Sequence, residues 1–259
     1  SHADVTRIAV DETSSRRGQR YLTLFHDADA RRLLFATPGR TAATFAAFAD
    51  DLRDHGGDPA AVTDISIDMS ASFQAGAARQ CPHARVSFDP FHVVALAGQA
   101  LDQVRRAETK NEPDLKGSRW ALLKDSSRWT REQINLMHWL QRSNLKTARA
   151  WRLKQALRKI FQQAQGPQQA QIMLLRWISW ARRSRLSPFK RLGATLRKHL
   201  PGIVEHFRSG LSNGFVEAMN GQIQAAKARA KGYAATESRV AVADMLCGRL
   251  RNFPREPRV

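Results

Sequence analysis

Cysteine is almost missing from this chain. Its 259 residues hold two, Cys81 and Cys247, and no Cys-x-x-Cys pair. Neither a disulfide framework nor a structural zinc site is expected on that count, and the usage suits a reducing compartment such as a cytoplasm. Cys81-Pro82-His83 is a lone Cys-x-His and reads as ordinary loop or core chemistry. No run of about 18 uncharged apolar residues occurs, so no segment reads as a membrane span. Internal repeats and low-complexity tracts are also absent. The most telling shortage is of acids: from Gln133 to Val204 there is no carboxylate at all, against 15 Lys/Arg.

Basic residues are abundant, and unevenly placed. The chain carries 42 Lys/Arg against 23 Asp/Glu, a formal charge of +19. Residues 1–100 hold 10 basic and 12 acidic residues, net −2, whereas residues 101–259 hold 32 and 11, net +21. A merely solvated surface mixes both signs, and a stretch that excludes one sign is built to face a polyanion. Arg outnumbers Lys 32 to 10, which suits bidentate contact with phosphate. A membrane surface fits less well, because the basic residues are spread over long, Trp-containing helical segments rather than gathered in one cluster. With 42% hydrophobic residues the chain can also build a core. A nucleic-acid backbone is therefore the expected partner.

The first hundred residues predict alternating strands and helices. Val5–Asp11, Arg20–Asp27 and Arg31–Thr37 read as three strands of a meander. Thr41–His55 changes to a helical period, with Phe45, Phe48 and Leu52 on one face, and Gly56-Gly57 stops it. Val62–Asp68 is a fourth strand, Ser70–Gln80 a second helix and Ala84–Asp89 a fifth strand. That pattern is an α/β sheet. From Pro90 onward nearly everything reads as helix: Phe91–Ala107, Thr130–Leu140, Leu145–Gln163, Gln168–Arg183 and Lys190–His199. Breaks are expected at Gly166-Pro167, Ser187-Pro188 and Pro201-Gly202. A last helix, Asn213–Lys231, carries Phe215, Met219, Ile223, Ala226 and Ala230 on its apolar face. Glu217, Asn220, Gln224, Lys227 and Lys231 form a polar stripe on another.

Three carboxylates stand out. Asp11 is expected to end the first strand and Asp68 the fourth, and sites in α/β sheets form outside the carboxyl ends of strands. A strand order 3-2-1-4-5 would set these two acids side by side. In the fourth strand Ile65 and Ile67 alternate with Ser66 and Asp68, so Asp68 points away from the apolar face. Like charges held this close need a cation between them, or one must take up a proton. Hard oxygen ligands favour Mg²⁺ or Mn²⁺. Glu217 is the third candidate, with Glu12 a rival to Asp11. Each acid taken singly has a plainer reading as a turn, cap or solvated residue.

The segments around these acids carry a resemblance. Residues 10–14 (VDETS) with 17–23 (RGQRYLT), 67–73 (IDMSASF), 88–94 (FDPFHVV) with 100–106 (ALDQVRR), and 212–223 (SNGFVEAMNGQI) leading into 227–233 (KARAKGY) resemble the ISL3 family of insertion-sequence DDE transposases. The resemblance implies an RNase H-like catalytic domain: a mixed five-stranded α/β sheet with flanking helices, interrupted by a largely helical insertion. On this reading residues 1–112 are the first part of the core, 113–210 the basic insertion, and 211–259 the final helix and tail. It implies a catalytic, metal-holding triad of Asp11, Asp68 and Glu217, with Asp89 as rival for the second place, and Asp89, His92 and Asn220 as supporting residues. The expected cofactor is a pair of Mg²⁺ ions, for which Mn²⁺ could substitute. The expected partners are double-stranded DNA, both element ends and target, and further copies of the chain in a dimer or larger assembly. Arg182, Arg183, Arg185, Lys190 and Arg191 are the candidate phosphate contacts, with Arg128, Lys227 and Lys231. Trp120 and Trp129 are candidates to stack on an unpaired base, while the remaining Trp are expected in the core. Family members carry a zinc-binding and helix-turn-helix region ahead of the catalytic part, so the chain, which opens on the first strand, is expected to hold the chemistry without the module that reads the element ends. A bacterial cytoplasmic, nucleoid-associated protein follows. Two further readings share the sequence features: a DNA-binding relative without catalysis, and a nuclease without strand transfer.

Overall fold

A computed structural model of the chain describes residues 1–16, 20–211 and 214–229. It divides into two compact units, one made of residues 1–89 with the chain from Ser209 onward, the other of Pro90–Arg208. The first boundary thus falls before the helix that opens at Pro90, not after it near residue 112. The reason is packing, since that helix lies against later helices of the second unit.

The first unit is built on a five-stranded sheet of order β3-β2-β1-β4-β5, the order that sets the strands of Asp11 and Asp68 side by side. Strands β1 (Arg7–Arg16), β2 (Arg20–Asp27) and β3 (Arg32–Pro38) form an antiparallel meander. Helix α1 (Ala42–Asp54) then leads to β4 (Asp64–Ile67), helix α2 (Ala71–Gln80) and β5 (Arg85–Phe88). Both β1–β4 and β4–β5 are parallel. A central strand with helices near it buries both faces, and all four residues of β4 are buried, Ser66 included. The side of β4 that carries Ser66 is therefore covered as well.

Aromatic packing fixes α1 on the sheet. Phe25 of β2 stacks on Phe48 with centroids 4.3 Å apart and meets Phe45 edge-on at 5.1 Å. Phe45 in turn meets Phe73 of α2 at 5.7 Å. Gly76 lets the two helices approach this closely, because a Cβ there would lie 2.7 Å from the Phe45 ring. Past the end of α1, Gly56 adopts φ +83°, and the Gly57 amide donates to the Leu52 carbonyl at 2.8 Å, the left-handed stop the sequence signals. Helix α2 starts at Ser70, whose Oγ accepts from the Phe73 amide.

The second unit is helical: α3 (Pro90–Glu108), the short α4 (Arg119–Leu123), α5 (Arg131–Arg142), α6 (Lys146–Gln163), α7 (Pro167–Arg183), α8 (Ser187–Lys198) and α9 (Leu200–Ser209). Pro201-Gly202 opens α9 instead of breaking the chain. A proline in the first helical turn loses an amide that has no intrahelical partner there anyway. Helix α10 (Gly214–Arg229) returns to the first unit, where Ile223 and Met219 pack against Leu22, Leu24, Leu33 and Ala36. Among the described residues no helix is long and apolar enough to cross a membrane.

Candidate catalytic centre and nucleic-acid interface

The short fourth strand creates the site. β1 and β4 pair in register from Arg7↔Asp64 to Ala9↔Ser66. Continued two residues on, the same register brings Asp11 level with Asp68, just beyond the last residue of β4. β5 follows suit: Ile67↔Phe88 is its last pair with β4, and the Asp89 amide still donates to the Ile67 carbonyl at 3.0 Å. Asp89, 5% exposed, is thus level with Asp68. Adjacent strands lie about 4.8 Å apart, so three carboxylates stand in a row across the carboxyl ends of the parallel strands. One expectation needs correcting here. Asp11 does not end β1, which runs on to Arg16 paired with β2. Its parallel neighbour stops first, and Asp11 sits where the sheet narrows on that side.

Each acid has its own surroundings. The Asn220 Nδ2 of α10 donates to Asp11 Oδ2 at 2.5 Å, while Asn220 Oδ1 is buried without a hydrogen-bond partner among the described residues. Asp68 Oδ1 accepts from the Ser70 amide at 2.8 Å, a turn that holds the carboxyl at the strand end. Glu12, the rival to Asp11, lies on the other face of β1 by strand alternation and pairs with Arg40 at 3.7 Å. His26 on β2 is fully buried, and burial lowers it to about 4 against the opposing pull of the Asp11 charge. It is therefore a neutral imidazole near neutral pH, one that sequence reading missed. The signal was available: His26 is the only titratable residue within the apolar run Leu22–His26.

Helix α10 lies along β1. Phe215 meets the His26 ring edge-on at 5.9 Å, Asn220 reaches Asp11, and Gln224 Nε2 donates to Thr13 Oγ1 at 2.5 Å. Helical spacing puts residue 217 on the same face as 220 and 224, one turn before Asn220. The side chains of Glu217 and Lys227, and all of Lys231, lie outside the described residues. Among the described residues, the group of three that could hold a metal ion is His2, Asp51 and His55 at the end of α1. There the His55 ring and the Asp51 carboxylate are 3.5 Å apart.

In the second unit the basic candidates are on the surface. Arg182, Arg183 and Arg185 are exposed at the end of α7, and Lys190 and Arg191 on α8; Arg191 donates to Gln103 at 3.0 Å. Arg182 and Arg183 line a cleft of about 510 Å³ with Arg197. Trp120 is 59% exposed, with the Arg119 guanidinium 5.2 Å from its ring. Trp129 is half-buried and donates its indole N–H to the Ala121 carbonyl at 2.8 Å, which is a structural bond; its neighbour Arg128 is exposed. His92 opens α3, edge-on to Phe91 at 5.6 Å. The expectation that the other Trp are core holds for Trp177 at 3% exposure but not for Trp139 or Trp180, at 37% and 44%. Cys81 is buried and its thiol is pushed up to about 11 by that burial, an inert core residue as expected.

Residues 8–241 match a family model described as transposase. The transposase for insertion sequence element IS1557 of Mycobacterium tuberculosis is 34% identical over 93% of the chain. That for IS1001 of Bordetella parapertussis is 29% identical over 87% of it. The chain spans 60% of the length of the first relative and 57% of the second.

Proposed function

The chain belongs to the ISL3 family of transposases, and we propose that it performs metal-dependent DNA strand cleavage and strand transfer through Asp11, Asp68 and Glu217. The observation that carries this reading is the parallel register of β1 and β4, whose last pair is Ala9↔Ser66; Asp11 and Asp68 each come two residues later. Two carboxylates so placed call for a cation. The donor set is all hard oxygen, which suits Mg²⁺ or Mn²⁺. The buried, unpartnered Asn220 Oδ1 beside Asp11 is an acceptor that the hydration shell of such a cation would satisfy. Asp11, Asp68 and Glu217 would hold the metal, two ions in this reading. When bound, Mg²⁺ supplies charge stabilisation at the phosphate and acidifies the attacking hydroxyl.

The chain's own residues supply position and field. Asn220 fixes the rotamer of Asp11, and the Ser70 amide fixes Asp68. His26 is neutral and so places no competing positive charge beneath Asp11. In the first step water attacks phosphorus and the 3′ oxygen of an element end leaves. In the second that 3′-OH attacks a target phosphodiester and displaces another 3′ oxygen. Both are in-line displacements in which positioning and charge stabilisation dominate. Phosphate contacts come from the basic second unit, and an assembly of two or more copies on DNA is part of the reading.

The test is cleavage of element-end duplexes with and without Mg²⁺, by wild type beside Asp11→Asn, Asp68→Asn and Glu217→Gln. Each variant is expected to lose activity by about 10²-fold or more. Full activity in any one of them would remove that residue from the triad. Metal-independent cleavage would end the reading altogether.

A further inference from the structure

We propose that the second unit holds a binding site for an unpaired DNA nucleotide, in which the exposed indole of Trp180 stacks on the base and Arg149, Arg152, Arg183 and Arg185 take the flanking phosphates. The proposal rests on the DNA-acting reading above and specifies which form of DNA this surface takes. Trp180, with Leu153 and these four arginines, lines a cleft of about 370 Å³, at the small end of the range for ligand sites. A groove of cations around an aromatic face is how single strands are held, because every base offers a π-face and every nucleotide a phosphate.

Four observations converge. Trp180 is 44% exposed, although α7 already has a buried stripe of Ala170, Leu174, Trp177, Ile178 and Ala181. The indole is thus surplus to the core. None of the four arginines has an acidic partner among the described residues; Arg152 donates only to the Gln141 carbonyl, at 2.8 Å. The whole stretch Gln133–Val204 offers no carboxylate to neutralise them. Arg185 is held at φ +59° in the turn after α7, a conformation costly for a residue with a Cβ and one that gathers at ligand sites. Finally, Arg183 also lines a second cleft, with Arg182 and Arg197, so further cations stand next to the one that holds Trp180. A duplex could meet these cations with its phosphates, but its bases have both faces covered by their neighbours in the stack, so only an unpaired base can offer a face to the exposed Trp180 indole.

The experiment measures fluorescence anisotropy of three labelled probes: a single strand, a blunt duplex, and a duplex with a short single-stranded flap. The proteins are wild type, Trp180→Ala, Trp180→Phe and Arg149→Glu/Arg152→Glu. Trp180→Ala should weaken binding of the single strand and the flap about tenfold and of the blunt duplex less than twofold, with Trp180→Phe recovering most of the loss. The double charge reversal should weaken all three probes. Matching thermal melts for wild type and Trp180→Ala establish that the fold is intact. Single-strand affinity within twofold of wild type in Trp180→Ala overturns the proposal, as does an equal loss on blunt duplex. If that happens while wild type still cuts element ends with Mg²⁺, only this site falls. If wild type binds none of the probes, the DNA-acting reading falls with it.

Discussion

Asp68 and Asp89 sit level with one another, and their chemistry should nonetheless differ. Asp89 directly precedes Pro90, the first residue of α3, the position where Asn substitutes for Asp at little cost. Asp89→Asn is therefore expected to keep cleavage within about tenfold of wild type, a modest loss on the scale of single interactions. Asp68→Asn removes a charge and should abolish cleavage; the two rates measured side by side decide which acid is the second of the triad. A second residue-level prediction concerns Lys154, which is buried and donates to the Leu122 and Leu123 carbonyls at 2.8 and 3.1 Å. Burial lowers its pKa to about 8 from 10.5. A base whose folded pKa is depressed destabilises the fold wherever the unfolded chain holds the proton more tightly. Stability should therefore rise between pH 8 and 10.5, by up to about 3 kcal/mol. Urea melts at the two pH values should show this increment in wild type and not in Lys154→Met. Of these residues, Asp68 and Asp89 were legible in the sequence because each directly follows a strand-like run, beside distinctive motifs. Lys154 was not, because it reads as one more cation among the 15 of its stretch until the helix that buries it is in place.

At the scale of elements, one carboxylate does the work of a missing cap. Helix α6 begins after Leu145, which has no side chain able to cap. Glu108, the last residue of α3, supplies the acceptors instead: its two oxygens take the Lys146 and Thr147 amides at 2.8 and 2.7 Å. A negative charge there also complements the helix dipole. Glu108→Ala should cost about 1–2 kcal/mol of stability, and Glu108→Gln less, because one acceptor remains; equal melts for wild type and Glu108→Ala would show that the cap contributes nothing. Such a cap cannot be read from local sequence, since 38 residues separate donor and acceptor. What could be read was periodicity: the five strands and most helices follow from alternation, helical stripes and Gly/Pro stops, whereas the strand order does not follow from any of these. The errors came where tertiary partners decide length. β1 runs beyond Asp11 because β2 continues to pair with it, and α9 forms through Pro201-Gly202 because a first-turn proline is compatible with a helix.

For the molecule as a whole, charge is divided between the two units. Pro90–Arg208 holds 24 Lys/Arg and 7 Asp/Glu, net +17, which leaves the first unit with 18 and 16, net +2. On the proposed reading, chemistry and affinity would be carried by different parts of the chain: the candidate acids lie in the near-neutral unit, and the cations that would meet phosphates lie in the basic one. The second unit exposes eight candidate cations: Arg149, Arg152, Arg182, Arg183, Arg185 and Arg197, which line the two clefts, and Lys190 and Arg191 on α8. If about six of them meet phosphates, log affinity for duplex DNA should fall against log salt with a slope near −5, or about 10³-fold between 50 and 200 mM. Arg182→Glu/Arg183→Glu should flatten that slope by about 2 while the Mg²⁺ requirement of residual cleavage stays as in wild type. Asp68→Asn should do the reverse, leaving slope and affinity alone and removing cleavage. A charge-reversed pair that binds with the wild-type slope would place the phosphate contacts elsewhere on the second unit. An Asp68→Asn protein that loses affinity would mean that the acids and the DNA surface cannot be separated in this way.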